Sequence, residues 1–378
     1  MQPLKVLHLI TDSAGISGAE RVLLGLAERA DRSRWSLTLG TVRAPGPLTR
    51  ALEATGWPTF ALGVEHWSQV PAGALRLVGL VQALAPDVIH THLSASAAIG
   101  AFAARATGTP LVQTRHYTDQ VSRNHSGGRL ALDRWAARRC RGIAAVSEAG
   151  ARHLVEVEGV PRERVEVIDN GADWDRLSAI DPAGAREHLR ELGVGDGPLV
   201  GCAASFHPVK GHRHLVAAFA RVHARCPAAR LVLLGSNIVG GREEQAVREQ
   251  VAGLGLAAQV HFLGHRGDAS DLMPGFAVYA QPSLEEGFGL AVVEAMSSRR
   301  PVVVSDVGGM RLTVEHEVSG LRVPVADPEA LGAAILRLLD DPALAARLGA
   351  AGSARARERY SLRRVLDDYD RFYRRVLA

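Results

Sequence analysis

The feature that most restricts this chain is a rhythm. Short apolar, β-rich runs alternate with helix-like stretches, and the alternation lapses once and then starts again. In the first half the runs lie at 4–10, 37–42, 87–91, 110–114, 142–146 and 164–168, separated by helical patterns at 19–30, 72–85, 95–107 and 129–140. Runs that short and that continuously apolar suit strands buried on both faces, and the helices between them supply the crossovers of a parallel sheet. Over 169–197 the pattern loosens into polar, glycine-containing sequence with Pro182 and Pro198 around one short helical piece. Strands then follow at 199–204, 230–234, 259–263, 277–281 and 301–305, with helices near 212–226, 242–253, 289–298 and 328–340 and an arginine-rich helix over 361–376. The expected fold is α/β, two doubly wound domains at 1–178 and 179–360 followed by a terminal helix at 361–378. A cleft is expected between the domains, at the carboxyl ends of both sheets.

Composition narrows the function classes. The chain has 378 residues, too many for one ordinary core, and its 47% hydrophobic and 22% charged content is that of a globular protein. A net charge of +4 gives no evidence of a nucleic-acid surface. Cys140, Cys202 and Cys226 are odd in number and widely spaced, which fits neither a disulfide framework nor a metal knuckle and suits a reducing, cytoplasmic setting. The LKVLHLIT run near the start reads as a first strand, not a signal peptide. The least charged long stretch, 93–104, is shorter than a membrane span.

Chemistry concentrates after the strand at 277–281. There Glu286 sits on a loop with Gly287 and Gly289, and Glu294 falls in the helix that follows. Glycines let backbone approach a ligand closely, and the helix start aims N–H groups and a positive dipole end at it. Two carboxylates flanking such a junction suit a ligand with both hydroxyls and phosphates. Lys210 follows the strand 199–204 and the loop beginning at Ser205, just before Gly211 and another helix. In a chain whose only other lysine is Lys5, a compact ammonium at a strand–loop–helix junction suits neutralisation of a departing pyrophosphate.

The first half offers weaker signals. The turn from Thr11 to Glu20 carries Gly15 and Gly18 but not the dinucleotide fingerprint, so an ordinary strand-to-helix turn competes with a phosphate or acceptor contact. His116 closes the strand Leu111 to Arg115, where imidazole either stabilises developing charge or meets a ligand hydroxyl, or is structural. His90 and His92 share one strand face, but with no third ligand beside them no metal site is expected. His212 and His214 open a helix and read as surface. Asp173-Trp174-Asp175 and Asp368-Tyr369-Asp370 match the DxD pattern used by some enzymes to hold manganese, but one lies in the linker and the other in the terminal helix. The stretch 129–141 places Arg134, Arg138 and Arg141 on one helical face. A solvated face is the preferred account, with peripheral contact to the inner membrane surface as the alternative.

Together these stretches resemble glycosyltransferase family 4, the retaining enzymes of the GT-B fold, over almost the whole length. The most specific part is 283–296, which resembles the family's E-x7-E element with Glu286-Gly287-Phe288-Gly289 at its front. Ser205 to Gly211, Val260 to His265, Pro301 to Gly309, Gly18-Ala19-Glu20 and Val167 to Gly171 also match. The resemblance implies that Glu294 holds the nucleotide ribose and Glu286 the donor-sugar hydroxyls. Lys210 would contact the diphosphate, near the backbone of Phe288, Gly289 and Leu290. Gly264 and His265 would border the base, Gly18 would approach the diphosphate or acceptor, and His116 the donor sugar. It implies no metal and no cofactor beyond a UDP-, GDP- or ADP-linked sugar, and a terminal helix that crosses back to the first domain. Ser205 stands where the family often has arginine, Gly18-Ala19 replaces a glycine pair, and Leu312 replaces a common acidic residue.

The function expected is transfer of a hexose-type sugar, with retention, to a hydroxyl of a glycan, lipid-linked or small-molecule acceptor in glycan, glycolipid or cell-surface polysaccharide synthesis. Two rivals share the fold: a sugar-nucleotide isomerase of the 2-epimerase type, which needs no acceptor, and a non-catalytic nucleotide-sugar-binding subunit.

Overall fold

The structure is a computed structural model that describes residues 2–11, 18–116, 127–237 and 241–378. The chain divides into two compact units, one of Met1–Asn170 with Leu362–Ala378, the other of Gly171–Ser361.

The first unit is built on a seven-stranded sheet: β1 Leu4–Ile10, β2 Trp35–Thr41, β3 Thr59–Ala61, β4 Val88–His92, β5 Leu111–Arg115, β6 Gly142–Ala145 and β7 Val165–Val167. Their order is β3-β2-β1-β4-β5-β6-β7, and every pair is parallel. Five successive residues at the end of β1 and all of β4 and β5 are buried, because helices cover both faces. One covering helix is Leu362–Leu377, which buries Tyr369, Phe372 and Tyr373. It is pinned at its side by Asp370, which accepts hydrogen bonds from Trp35 Nε1 at 3.0 Å and Arg374 Nε at 2.9 Å and pairs with Arg34 at 3.1 Å. Burial opposes ionisation of Asp370, but hydrogen bonds from Arg374, Trp35 and Arg34 outweigh it and hold the carboxyl down to about 2.

The second unit repeats the plan with six parallel strands: β8 Leu199–Ala203, β9 Arg230–Leu234, β10 Val260–Gly264, β11 Val278–Gln281, β12 Val302–Ser305 and β13 Leu321–Val323. Their order is β10-β9-β8-β11-β12-β13. In each sheet the order reverses once, between β1 and β4 and between β8 and β11. Open α/β sheets bind ligands outside the carboxyl ends of the strands at such a reversal, so the segments following these four strands are the places to look.

The division between the units differs from the sequence expectation of 178/179. Residues 171–178 belong to the second unit, because the helix Trp174–Ser178 buries Leu177 in its core and Trp174 Nε1 donates to Ser353 O at 3.1 Å. The loosened stretch is itself ordered by a further helix, Pro182–Glu191, capped by Asp181 through the amides of Ala183 and Gly184. The helix Pro342–Tyr360 has no counterpart in the sequence reading.

Candidate active site

In the second unit the reversal point is framed by two loops, one after β8 carrying Lys210 and one after β11 carrying Glu286. Lys210 Nζ donates to Glu286 Oε2 at 2.7 Å, and both side chains are partly exposed. The loops are fastened to each other by backbone: Leu284 N donates to Val209 O at 2.7 Å. Gly211 ends the lysine turn at φ +70, and a Cβ there would lie 2.1 Å from Pro282 O. Only glycine tolerates both that backbone conformation and that approach. Glu286 is clamped from its other side, where its carbonyl accepts the Gly309 amide at 3.0 Å. Gly308, at φ +43, would put a Cβ 2.1 Å from the same oxygen.

A buried chain of side chains fixes the Glu286 carboxylate. The Tyr279 hydroxyl donates to Gln281 Oε1 at 2.8 Å, Gln281 Nε2 donates to Ser283 Oγ at 3.0 Å, and Ser283 Oγ reaches Glu286 Oε2 at 3.3 Å. The direction is forced. A carboxylate only accepts, so the Ser283 hydroxyl must spend its proton on Glu286 and receive one from Gln281. Burial pushes the Tyr279 phenol well above its ordinary value, aided by neighbouring Cys202, so the chain starts from a neutral hydroxyl. Glu286 Oε2 thus receives Lys210 and Ser283 together, while Oε1 has no hydrogen-bond partner among the described residues.

The other residues named from sequence take these positions. Phe288 is buried, its ring edge-on to Tyr360 at 5.4 Å, so that only its backbone is left for a ligand. Gly289, at φ +85, begins the helix Leu290–Ser297 without a side-chain cap, so the Leu290 and Ala291 amides have no capping side chain, while the Val292 amide donates to Gly289 O at 2.9 Å. Glu294 is buried in that helix and, with Glu286, bears electrostatically on Tyr279. Ser205 is half-buried in the turn after β8, beside Ala204, whose amide donates to Leu234 O at 2.9 Å. Gly264 ends β10 at φ +68 with open space around it, its carbonyl accepting the Gly235 amide at 2.7 Å, and His265 next to it is exposed.

In the first unit the reversal point holds histidines. His8 Nδ1 lies 3.0 Å from His92 Nε2, and His92 Nδ1 lies 3.1 Å from His116 Nε2. His90 contacts the Tyr373 hydroxyl through Nδ1 at 2.6 Å and Thr114 Oγ1 through Nε2 at 2.7 Å. Burial holds these imidazoles neutral, lowering His8 to about 3 and His116 to about 4 and taking His90 and His92 well below their usual value. Thus a third imidazole, His8, does stand beside His90 and His92. Sequence reasoning missed it because only the pairing of β1 with β4 aligns His8 with His90. Gly18 opens the helix Gly18–Arg29, with nothing within 4 Å of a Cβ at that point. Residues 12–17 of the glycine-bearing turn lie outside the described residues.

Two family models match this chain side by side, one described as Glycosyltransferase Family 4 over residues 16–176 and one as Glycosyl transferases group 1 over residues 197–341. Among curated relatives, the D-inositol 3-phosphate glycosyltransferase of Saccharomonospora viridis is 30% identical over 358 residues, covering 89% of this chain and 81% of its own. The chain is a family 4 glycosyltransferase. A second relative, the putative glycosyltransferase EpsF of Bacillus subtilis, is 27% identical over 80% of this chain and 79% of its own. Among solved structures, that of Anabaena HepE in complex with UDP-glucose matches the transferase with a TM-score of 0.86 and 26% identity, over 97% of this chain and 98% of that one.

Several side chains of the transferase prove to serve the fold. Asp173 caps the helix Trp174–Ser178 through the Arg176 amide, and Asp368 pairs with Arg371 and Arg364. His212, read as surface, is buried and stacked on Phe206 with ring centroids 4.4 Å apart; burial, then the Lys210 charge, lowers it to about 4. On the helix Gly127–Ala137, Arg134 is spent on the Val157 carbonyl at 2.7 Å, and just beyond it Arg141 reaches Val376 O at 3.4 Å. No described helix is long and apolar enough to cross a membrane. Gln281 and Ser283, which link Tyr279 to Glu286, are residues that sequence reasoning passed over, although both are buried polar positions at or just beyond the end of β11.

Proposed function

We propose that this glycosyltransferase moves a hexose from a nucleoside-diphosphate sugar, UDP-linked first among the UDP, GDP and ADP candidates, to a hydroxyl acceptor with retention and without a metal. The observation that carries this reading is the Lys210–Glu286 contact, set at the carboxyl ends of β8 and β11 beside the uncapped helix Leu290–Ser297. A partly exposed ion pair of this kind is worth no more than about 1 kcal/mol, so a diphosphate can take over the lysine at small cost. Ser283 keeps Glu286 in place when Lys210 turns to phosphate, and Oε1 remains to accept a donor-sugar hydroxyl. Lys210 and the amides of Leu290 and its neighbours then stabilise the charge that develops on the leaving group. Glu294 accepts from the ribose hydroxyls, Gly264 and His265 border the base, and His116 meets the donor sugar.

In the reaction the acceptor oxygen bonds to the anomeric carbon as the bond from that carbon to the β-phosphate oxygen breaks. The bonding electrons leave with the nucleoside diphosphate, and the acceptor proton goes to the departing phosphate on the same face. The preference for UDP follows the likeness to HepE, whose structure holds UDP-glucose. The acceptor class is a glycan, a lipid-linked sugar or a small molecule, and an inositol phosphate is the small molecule in keeping with the name of the first relative. Work on a glycan or lipid-linked acceptor goes with a cytoplasmic placement, and exposed Arg138 would suit a peripheral approach to an anionic membrane surface.

The test is a panel of UDP-, GDP- and ADP-sugars with inositol phosphate and glycan acceptors, read by mass spectrometry and by the anomeric proton coupling of the product. Turnover with UDP-glucose in excess EDTA, giving the donor's own anomer, is expected. An inverted product, or activity lost in EDTA and rescued by manganese, overturns the retaining or the metal-free part. Donor conversion without any acceptor would point to an isomerase.

A further inference from the structure

The histidines of the first unit form a chain whose chemistry is more specific than burial alone requires. His8, His92 and His116 are linked nitrogen to nitrogen at 3.0 and 3.1 Å, with ring centroids 5.3 and 5.4 Å apart. Each neutral imidazole carries one N–H and one lone pair. His92, in the middle, uses both nitrogens on its neighbours, so each link needs one donor and one acceptor. Only two proton arrangements satisfy both links: all three rings protonated on Nδ1, or all three on Nε2. A mixed set leaves two N–H groups or two lone pairs facing each other.

The free end of the chain is His116 Nδ1, a buried atom with no hydrogen-bond partner among the described residues. We propose that His92, backed by His8, is a positioning residue that ties the tautomer of His116 to that of the whole chain, so that its Nδ1, which meets the donor sugar, changes hydrogen-bonding role only when all three rings shift their protons together. The inference rests on the reading of His116 as a donor-sugar contact. A lone imidazole exchanges tautomers freely, and a site that must hold a hydroxyl in one orientation gains from removing that freedom.

The alternative use of the cluster is a metal site, since nitrogens of His8, His90 and His92 lie within 4.8 Å of one another. The partners argue against it. Both nitrogens of His90 face hydroxyls, those of Tyr373 and Thr114, and Thr114 Oγ1 is in turn 2.9 Å from the Tyr369 hydroxyl. Both nitrogens of His92 face other imidazoles. Metal-bound histidine keeps one nitrogen for the ion, and here that nitrogen is already committed.

The test uses the full chain with His92→Phe, which keeps a ring but removes both nitrogens, and His92→Asn, whose amide sits where Nδ1 does. His92→Phe should lower kcat about 10- to 100-fold with donor KM changed by less than about threefold, and His92→Asn should recover most of the loss. Long-range proton–nitrogen spectra of histidine-labelled protein should show His8, His92 and His116 protonated at the same ring position in the parent, and a His116 tautomer that no longer follows His8 in His92→Phe. If His92→Phe does not fold, His8→Phe gives the same spectral readout one ring further out. The proposal is overturned if the His116 signals are unchanged on loss of its partner, if the Phe and Asn variants turn over alike, or if the purified protein carries one zinc per chain. His116→Ala is the reference: near-parent turnover there sinks its donor-sugar role, while the spectra still judge the coupling.

Discussion

The two units solve one geometric problem with opposite chemistry. Each sheet reverses its order once, and each gathers its candidate site side chains at that reversal. In the second unit these are formal charges on loops, Lys210 and Glu286, partly exposed and shaped by glycine backbone. In the first they are neutral imidazoles on strand ends, buried, with the hydroxyls of Tyr369 and Tyr373 beside them. The difference teaches that the fold supplies an address and not a chemistry. On the proposed function, a diphosphate leaving group would need charge that can change partner, whereas an uncharged sugar would need hydrogen bonds that cannot.

The comparison breaks most easily at Lys210. Lys210→Ala should reduce kcat about 100- to 1,000-fold, as loss of a leaving-group contact does, and Lys210→Arg should restore little, because a planar fork does not replace a point charge. Rates within a few-fold of the parent would remove charge from the second site and the contrast with it. Acid sharpens the comparison next. Histidines buried neutral have folded pKa values below the unfolded 6.5, so their stabilisation is full above about pH 6.5 and is lost as pH falls towards their folded values, about 3 for His8. The slope is about 1.4 kcal/mol per pH unit for each such histidine. Urea unfolding at pH 7 and pH 5 should therefore show a smaller loss for His8→Phe than for the parent; equal losses would mean that the imidazoles are not buried neutral. The smallest effect expected is that of Ser283→Ala, which takes one hydrogen bond from Glu286 and should raise donor KM about three- to tenfold, roughly 1 kcal/mol. An unchanged KM would show that Lys210 alone positions the carboxylate.

How much of this was legible depended on whether the signal was local. The strand 4–10 and the helix 328–340 were read to the residue because their apolar runs are long and bounded by turns. The edge strands Thr59–Ala61 and Leu321–Val323 were too short to stand out, and the alanine- and arginine-rich helix Pro342–Tyr360 has no clear apolar stripe. Lys210 and Glu286 were visible because glycines surround them, and the structure brings them into contact. Gln281 and Ser283 were not, since a polar side chain at a strand end looks ordinary until its partner, the Tyr279 hydroxyl, is known. His8 needed sheet order, which no window of sequence contains. His212 was misread because its helix start looked solvent-facing, while Phe206 waits to stack on it.

The split make-up of the first unit has a consequence for how the protein is born. Its last helix, Leu362–Leu377, is synthesised after the whole of the second unit. At about 5–20 residues per second, the ribosome needs roughly ten seconds or more to travel from residue 170 to that helix. Throughout that interval the nascent first sheet lacks Tyr369 and Tyr373, and its histidine-bearing face stands bare. The second unit, continuous from Gly171 to Ser361, can finish first. Maturation thus runs against the usual amino-to-carboxyl order, and a chain cut short near its end would leave the earlier-made half incomplete.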